Sequence, residues 1–128
     1  MQLKSLDHVN IRTSNLAGMI AWYGDILDMH PGDRPPFDIG GAWLYVAAKP
    51  IVHLVEVTRD LAATEPKLEH FAISATGLAG FIDKLQNRGI SFTLDRVPEF
   101  PIVQVNLADC DGNHIHIDFH SDEADALD

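Results

Sequence analysis

The sequence predicts an α+β chain made of two similar modules. Three observations point there: a segment that repeats at a constant offset, short runs in which apolar and polar residues alternate, and two longer runs with apolar residues at helical spacing. "LDHVNIRTSNLAG" at residues 6–18 returns as "LEHFAISATGLAG" at 68–80, offset by 62, and seven of the thirteen positions correspond, among them His8 with His70 and Asp7 with Glu69. More loosely, "PIVHLVEV" at 50–57 resembles "NHIHIDFH" at 113–120, where His53 faces His116 at an offset of 63. The reading is one domain over 1–120, made of module 1 at about 5–58 and module 2 at about 67–120. The acidic tail 121–128, "SDEADALD", is expected to be frayed and solvated.

Each element follows from its pattern. "LDHVNIRT" alternates Val9 and Ile11 with His8, Asn10 and Arg12, as a half-buried strand does. "SNLAGMIAWYGDIL" carries Leu16, Met19, Ile20, Tyr23 and Leu27 at 3–4 spacing, an amphipathic helix capped by Ser14 or Asn15. "HPGDRPPFDIGG" is rich in Pro and Gly and reads as loop with room for a short strand. "AWLYVAAK" and "IVHLVEVT" read as strands joined around Pro50. "TRDLAATEPK" links the modules. Module 2 opens with strand "LEHFAISA" and helix "LAGFIDKLQNRG", stopped at Gly89. Strands "SFTLDRV", "IVQVNLAD" and "HIHIDFH" follow, the last two joined by the turn "DCDGN".

Composition narrows the function classes. The apolar fraction of 46% and charged fraction of 22% are those of an ordinary globular protein. No apolar run approaches the ~18–20 residues that cross a bilayer, and "MQLKSLDHVNIRT" lacks the apolar stretch of a signal peptide, so a cytoplasmic location is expected, with no membrane partner. The formal charge, 9 − 19 = −10, argues against a nucleic-acid partner, which needs clustered Lys and Arg. Cys110 is the single cysteine, so no internal disulfide forms, and with no activating pair beside it in sequence it reads as a bystander thiol.

Strand parity separates two faces. Val9, Ile11, Val52, Leu54, Phe71, Ile73, Ile115, Ile117 and Phe119 share the face a helix would cover. The other face then holds His8, Asn10, His53, His70, Gln104, Asn106, His114, His116 and Asp118. A merely solvated face would carry Lys, Glu and Thr; one rich in His, Asn and Gln suits metal ligation or ligand orientation. Gln104 and Asn106 are candidates to bond a substrate oxygen or to orient a ligand histidine. Trp43, Tyr45, Phe37 and Phe100 are candidate pocket walls, and Arg12 and Arg34 could meet a carboxylate.

The repeat, the "LDHV" and "LEHF" openings and the "DCDGNHIHIDF" ending resemble the vicinal oxygen chelate superfamily, which includes glyoxalase, bleomycin- and fosfomycin-resistance proteins and extradiol dioxygenases. The resemblance covers roughly residues 5–120. It implies two βαβββ modules whose mixed sheets curl into a cup-shaped metal site. It places metal ligands at His8, His53, His70 and His116, all on the polar face already assigned. It also implies a divalent ion (zinc, iron, nickel, cobalt or manganese), a small-molecule substrate and a homodimer. In glyoxalase-like relatives the last strand of each module usually supplies Glu, whereas His53 and His116 stand there in this chain. Asp118 shares the face of His116 but lies about 6–7 Å further along.

The expectation is therefore a metal-dependent lyase, isomerase or dioxygenase whose substrate chelates the ion through adjacent oxygens. His116 and Gln104 are the catalytic candidates. Asn10, Trp43, Tyr45, Asn106 and His114 are expected to line the substrate pocket, with His114 at its rim. The alternative is a non-catalytic antibiotic-binding protein using the same cup.

Overall fold

The computed structural model describes residues 1–62 and 65–127. The chain divides into two compact units, Met1–Thr64 and Glu65–Asp128. Unit 1 contains strand β1 (Val9–Thr13), helix α1 (Leu16–Leu27) and strands β2 (His30–Pro31), β3 (Gly41–Val46) and β4 (Lys49–Glu56). Unit 2 contains β5 (Phe71–Ser74), α2 (Leu78–Asn87), β6 (Thr93–Arg96), β7 (Ile102–Ala108), β8 (His114–His120) and a third helix, α3 (Ser121–Asp125). Each unit has one four-stranded mixed sheet, ordered β1-β4-β3-β2 and β5-β8-β7-β6. The first strand runs parallel to the last, and the other pairs are antiparallel. The repeat read from the sequence is thus a repeat of topology.

Parity sets the cores. In β4, Val52 and Leu54 are fully buried, and in β8 Ile115, Ile117 and Phe119 are buried. In unit 1, Met19, Tyr23 and Ile26 form the buried stripe of α1, which packs on β2, β3 and β4. In unit 2, Leu78 and Leu85 of α2 are buried, and the Phe81 ring lies 5.9 Å from that of Phe119. The first strand of each sheet is an edge strand, so Val9, Ile11, Phe71 and Ile73 are only half-buried.

Two local expectations change. The β3–β4 turn falls at residues 47–48, where Ala47 takes φ 53, and Pro50 lies inside β4 opposite Tyr45. It sits next to the register shift between Leu44 and Tyr45, the kind of irregularity where a sheet tolerates proline. The tail is not frayed over residues 121–125: α3 packs on α2, β7 and β8, with Ala124 buried. The Glu123 carboxylate accepts the N–H groups of Gly77 (2.8 Å) and Leu78 (3.0 Å). Gly77 brings no side chain to cap α2, so an acid from α3 satisfies these open donors.

Gly41 marks a close approach. A Cβ there would stand 2.2 Å from the Leu54 carbonyl oxygen and 2.8 Å from the Arg34 guanidinium. Since the first obstacle is backbone, Gly41→Ala is expected to destabilise the protein by about 1–3 kcal/mol, read from the urea midpoint.

Candidate functional site

Each unit places one histidine just before its first strand and another on the parallel last strand beside it. Val9 pairs with Val52 and Phe71 with Ile115, which brings His8 against His53 and His70 against His116. The rings stack almost identically: His8 and His53 have centroids 3.8 Å apart at 10°, His70 and His116 3.9 Å apart at 11°. The preceding acid holds the first histidine of each pair. His8 Nδ1 lies 2.7 Å from the Asp7 carboxylate, and His70 Nδ1 contacts that of Glu69. A carboxylate only accepts, so these contacts put an N–H on Nδ1 of both rings.

The units diverge at the position opposite the buried histidine. Trp43 in β3 pairs with His53 and stacks on it at 4.0 Å and 10°. Asn106 in β7 occupies the equivalent place opposite His116. Its amide donates to Asp95 (2.9 Å), and its oxygen faces His114 Nε2 at 3.1 Å. His114 Nδ1 in turn lies 2.8 Å from the second oxygen of Glu69. Glu69 therefore holds two imidazoles, and His70, His114 and His116 bring one potential ligand atom each within 4.8 Å of one another. Among the described residues this is the one group of three or more His, Cys, Asp or Glu side chains so arranged.

These residues fit a divalent transition metal. His116 is buried, and its Nδ1 is a buried atom without a hydrogen-bond partner. Burial, then repulsion from His70 and His114, holds its pKa below the ordinary histidine value, which favours the neutral ring a metal needs. Imidazoles suit zinc, iron, nickel, cobalt and copper; two bonds of about 2.1 Å at a tetrahedral angle span about 3.4 Å, so side chains whose ligand atoms lie within 4.8 Å of one another would close slightly on an ion. Ligation by His114 would exchange one of its two hydrogen bonds for a metal bond.

His53 is likewise held below the ordinary value, mainly by burial and then by His8, and its Nε2 lies 3.0 Å from the Pro50 carbonyl. Both rings resist protonation when folded and accept it when unfolded, so their contribution is full above about pH 6.5 and is lost as pH falls through their depressed folded values. The urea midpoint is expected to drop between about pH 7.5 and about pH 5, and the drop is expected to shrink in His53→Asn/His116→Asn.

The other candidates have definite places. Asn10 and Trp43 join His8 and His53 around a cavity of about 700 Å³ in unit 1, which Arg34 and Phe37 also line. Tyr45 is tied to the neighbouring loop, its hydroxyl donating to the Asp33 carbonyl at 2.6 Å, and is not among the lining residues. Gln104 is half-buried between Asp95 of β6 and Asp118 of β8, and Asp118 Oδ1 is buried without a partner. Glu69, which contacts both His70 and His114, is not among the candidates drawn from the sequence, although the acid before each repeated histidine is a visible signal. Cys110 is exposed, and partial burial together with Asp111 and Asp109 pushes its thiol up, away from a nucleophile's range. Among the described residues no helix is long and apolar enough to cross a membrane.

No curated protein matches the chain at the sequence level. Solved structures do match in fold. A glyoxylase/bleomycin resistance protein/dioxygenase domain from Frankia sp. EAN1pec superposes with a TM-score of 0.77 at 23% identity, covering 93% of each chain. The glyoxalase I of Leishmania major, described as trypanothione-dependent, gives 0.67 at 16% identity, covering 98% of this chain and 92% of its own. A lactoylglutathione lyase from Agrobacterium tumefaciens gives 0.69 at 14%, covering 93% and 96%. Residues 5–117 match the family itself, and with that span this chain belongs to the glyoxalase/bleomycin resistance protein/dioxygenase superfamily.

Proposed function

We propose that the protein is a divalent-metal-dependent enzyme acting on a small substrate that presents two adjacent oxygens. The observation that carries this reading is the group of His70, His114 and His116, with the buried Nδ1 of His116 unpartnered. These three residues would hold the ion, and His8 and His53 form the matching pair of the first unit, the remaining members of the four-histidine set implied by the family resemblance. A bound divalent ion would supply Lewis acidity toward the substrate oxygens. Glu69 orients His70 and His114 from behind, in the manner of a carboxylate supporting a metal-bound imidazole. His116 stays neutral and donates a lone pair. Gln104 offers its amide to a substrate oxygen, and Asp118 offers a buried, unpartnered oxygen to take up a proton. This division of work suits lyase, isomerase and dioxygenase outcomes alike. A cytoplasmic homodimer belongs to the same reading.

A second reading, sequestration of a small molecule without turnover, is favoured by one observation: the aromatic wall that Trp43 builds on His53. Element-resolved metal analysis separates the two. The enzyme reading expects one divalent ion per chain in purified wild type and its loss in His70→Ala and in His114→Ala. Wild type that carries none, and gains none on incubation with zinc, nickel or iron(II), sinks it.

A further inference from the structure

We propose that the side-chain oxygen of Asn106 is a fourth ligand atom of the unit 2 ion site, and that Asp95 is the positioning residue that turns this oxygen toward His114. The proposal rests on the reading that His114 is a ligand. It adds residues of β6 and β7 to a group otherwise drawn from β8 and the residue before β5.

The orientation of the amide comes from Asp95. Its Oδ2 accepts the Asn106 amide N–H at 2.9 Å, and the Thr93 hydroxyl donates to the same oxygen at 2.9 Å. A carboxylate offers no donor, so the Asn106 nitrogen has to face Asp95 and its oxygen has to face His114. All four residues of β6 are exposed, so this hold on Asn106 is not a by-product of core packing.

The ligand role comes from the atom that the oxygen faces. A metal needs the neutral imidazole. In the neutral His114 ring the proton sits on Nδ1, 2.8 Å from the accepting Glu69 carboxylate, and Nε2 is the ligand atom. Asn106 Oδ1 lies 3.1 Å from that Nε2. With an ion on Nε2 no hydrogen separates the two atoms, and two acceptors side by side are favourable only when both touch the ion. Two bonds of about 2.1 Å set their ligand atoms about 3.0 Å apart at a right angle and about 3.4 Å apart at a tetrahedral one. The observed 3.1 Å already lies in that span.

The first unit supplies an internal control. Val52 and Ile115 hold equivalent places beside β1 and β5, so Ile51 and Trp43 stand where unit 2 has His114 and Asn106. The imidazole and the amide are absent from unit 1 together, as expected of two groups that share a task.

Zinc titration of the metal-free protein against a chelator of known affinity tests this. Asn106→Leu is expected to bind zinc about 10–100-fold more weakly than wild type, and Asp95→Ala about tenfold more weakly. Asn106→Asp is expected to bind at least as tightly as wild type. Both ends of its carboxylate are oxygens, so it needs no orienting partner, and Asp95→Ala is expected to cost nothing in that background. A purely structural role for Asp95 costs the same in both backgrounds. Asp95 is exposed, so this comparison decides the matter even if Asn106→Leu fails to fold. Equal costs of Asp95→Ala in the two backgrounds overturn the proposal. So does Asn106→Leu that binds zinc as tightly as wild type or more tightly, because an amide oxygen that merely accepts an N–H from His114 opposes the ion. Wild type that takes up no zinc overturns the ion site as a whole, whereas uptake by wild type that Asn106→Leu leaves unchanged overturns this proposal alone.

Discussion

Replacing His116 with alanine is expected to abolish stoichiometric metal binding while leaving a folded chain. His116 is the one member of the imidazole group that is both buried and unpartnered at Nδ1. Its Nδ1 has been taken out of water without a hydrogen bond in return, and a metal bond is a return that the donor set suits. Glu69 gives a graded companion. It contacts Nδ1 of both His70 and His114, so Glu69→Gln is expected to lower metal affinity by about 10–100-fold, and His116→Ala by more than that. Competition titration against a chelator of known affinity measures both. A Glu69→Gln effect as large as that of His116→Ala would make Glu69 itself a ligand.

The largest stability losses are expected in the buried centre of each sheet. Leu54 in β4 and Ile115 in β8 are fully buried, and each stands next to a histidine of a stacked pair. Leu54→Ala and Ile115→Ala are each expected to cost about 2–5 kcal/mol, from lost burial plus the cavity left behind. Leu68 shares the chemistry but is 72% exposed, so Leu68→Ala is expected to stay within about 0.5 kcal/mol. Urea denaturation at pH 7.5 reads all three. A Leu54→Ala change as small as that of Leu68→Ala would contradict the packing described for β4.

Much of this arrangement was legible because it rests on short-range periodicity. Alternation in "HIHIDFH" put Ile115, Ile117 and Phe119 on one face and His114, His116 and Asp118 on the other, and burial divides them largely that way, although His116 is buried too. The self-match of "LDHV" and "LEHF" showed that His8 and His70 hold equivalent places, but not that each stacks on a histidine of its own unit. What stayed hidden depends on distant residues. The joint hold of Glu69 on His70 and His114 spans 45 positions, so no local pattern could show that His114 brings a ligand atom within 4.8 Å of those of His70 and His116. The acidic tail read as solvated because its charge was visible and its task was not: Glu123 caps a helix that begins 45 residues earlier. Pro50 misled for a third reason. Proline ends most strands, but here it sits beside a register shift that tolerates it.

The exchange of Trp43 for Asn106 across the two histidine pairs has an evolutionary corollary. After a duplication, one copy can drift toward shape recognition while its sibling retains coordination chemistry. A lineage could then acquire new ligand preferences through substitutions confined to the first half, with the histidine group of the second left undisturbed.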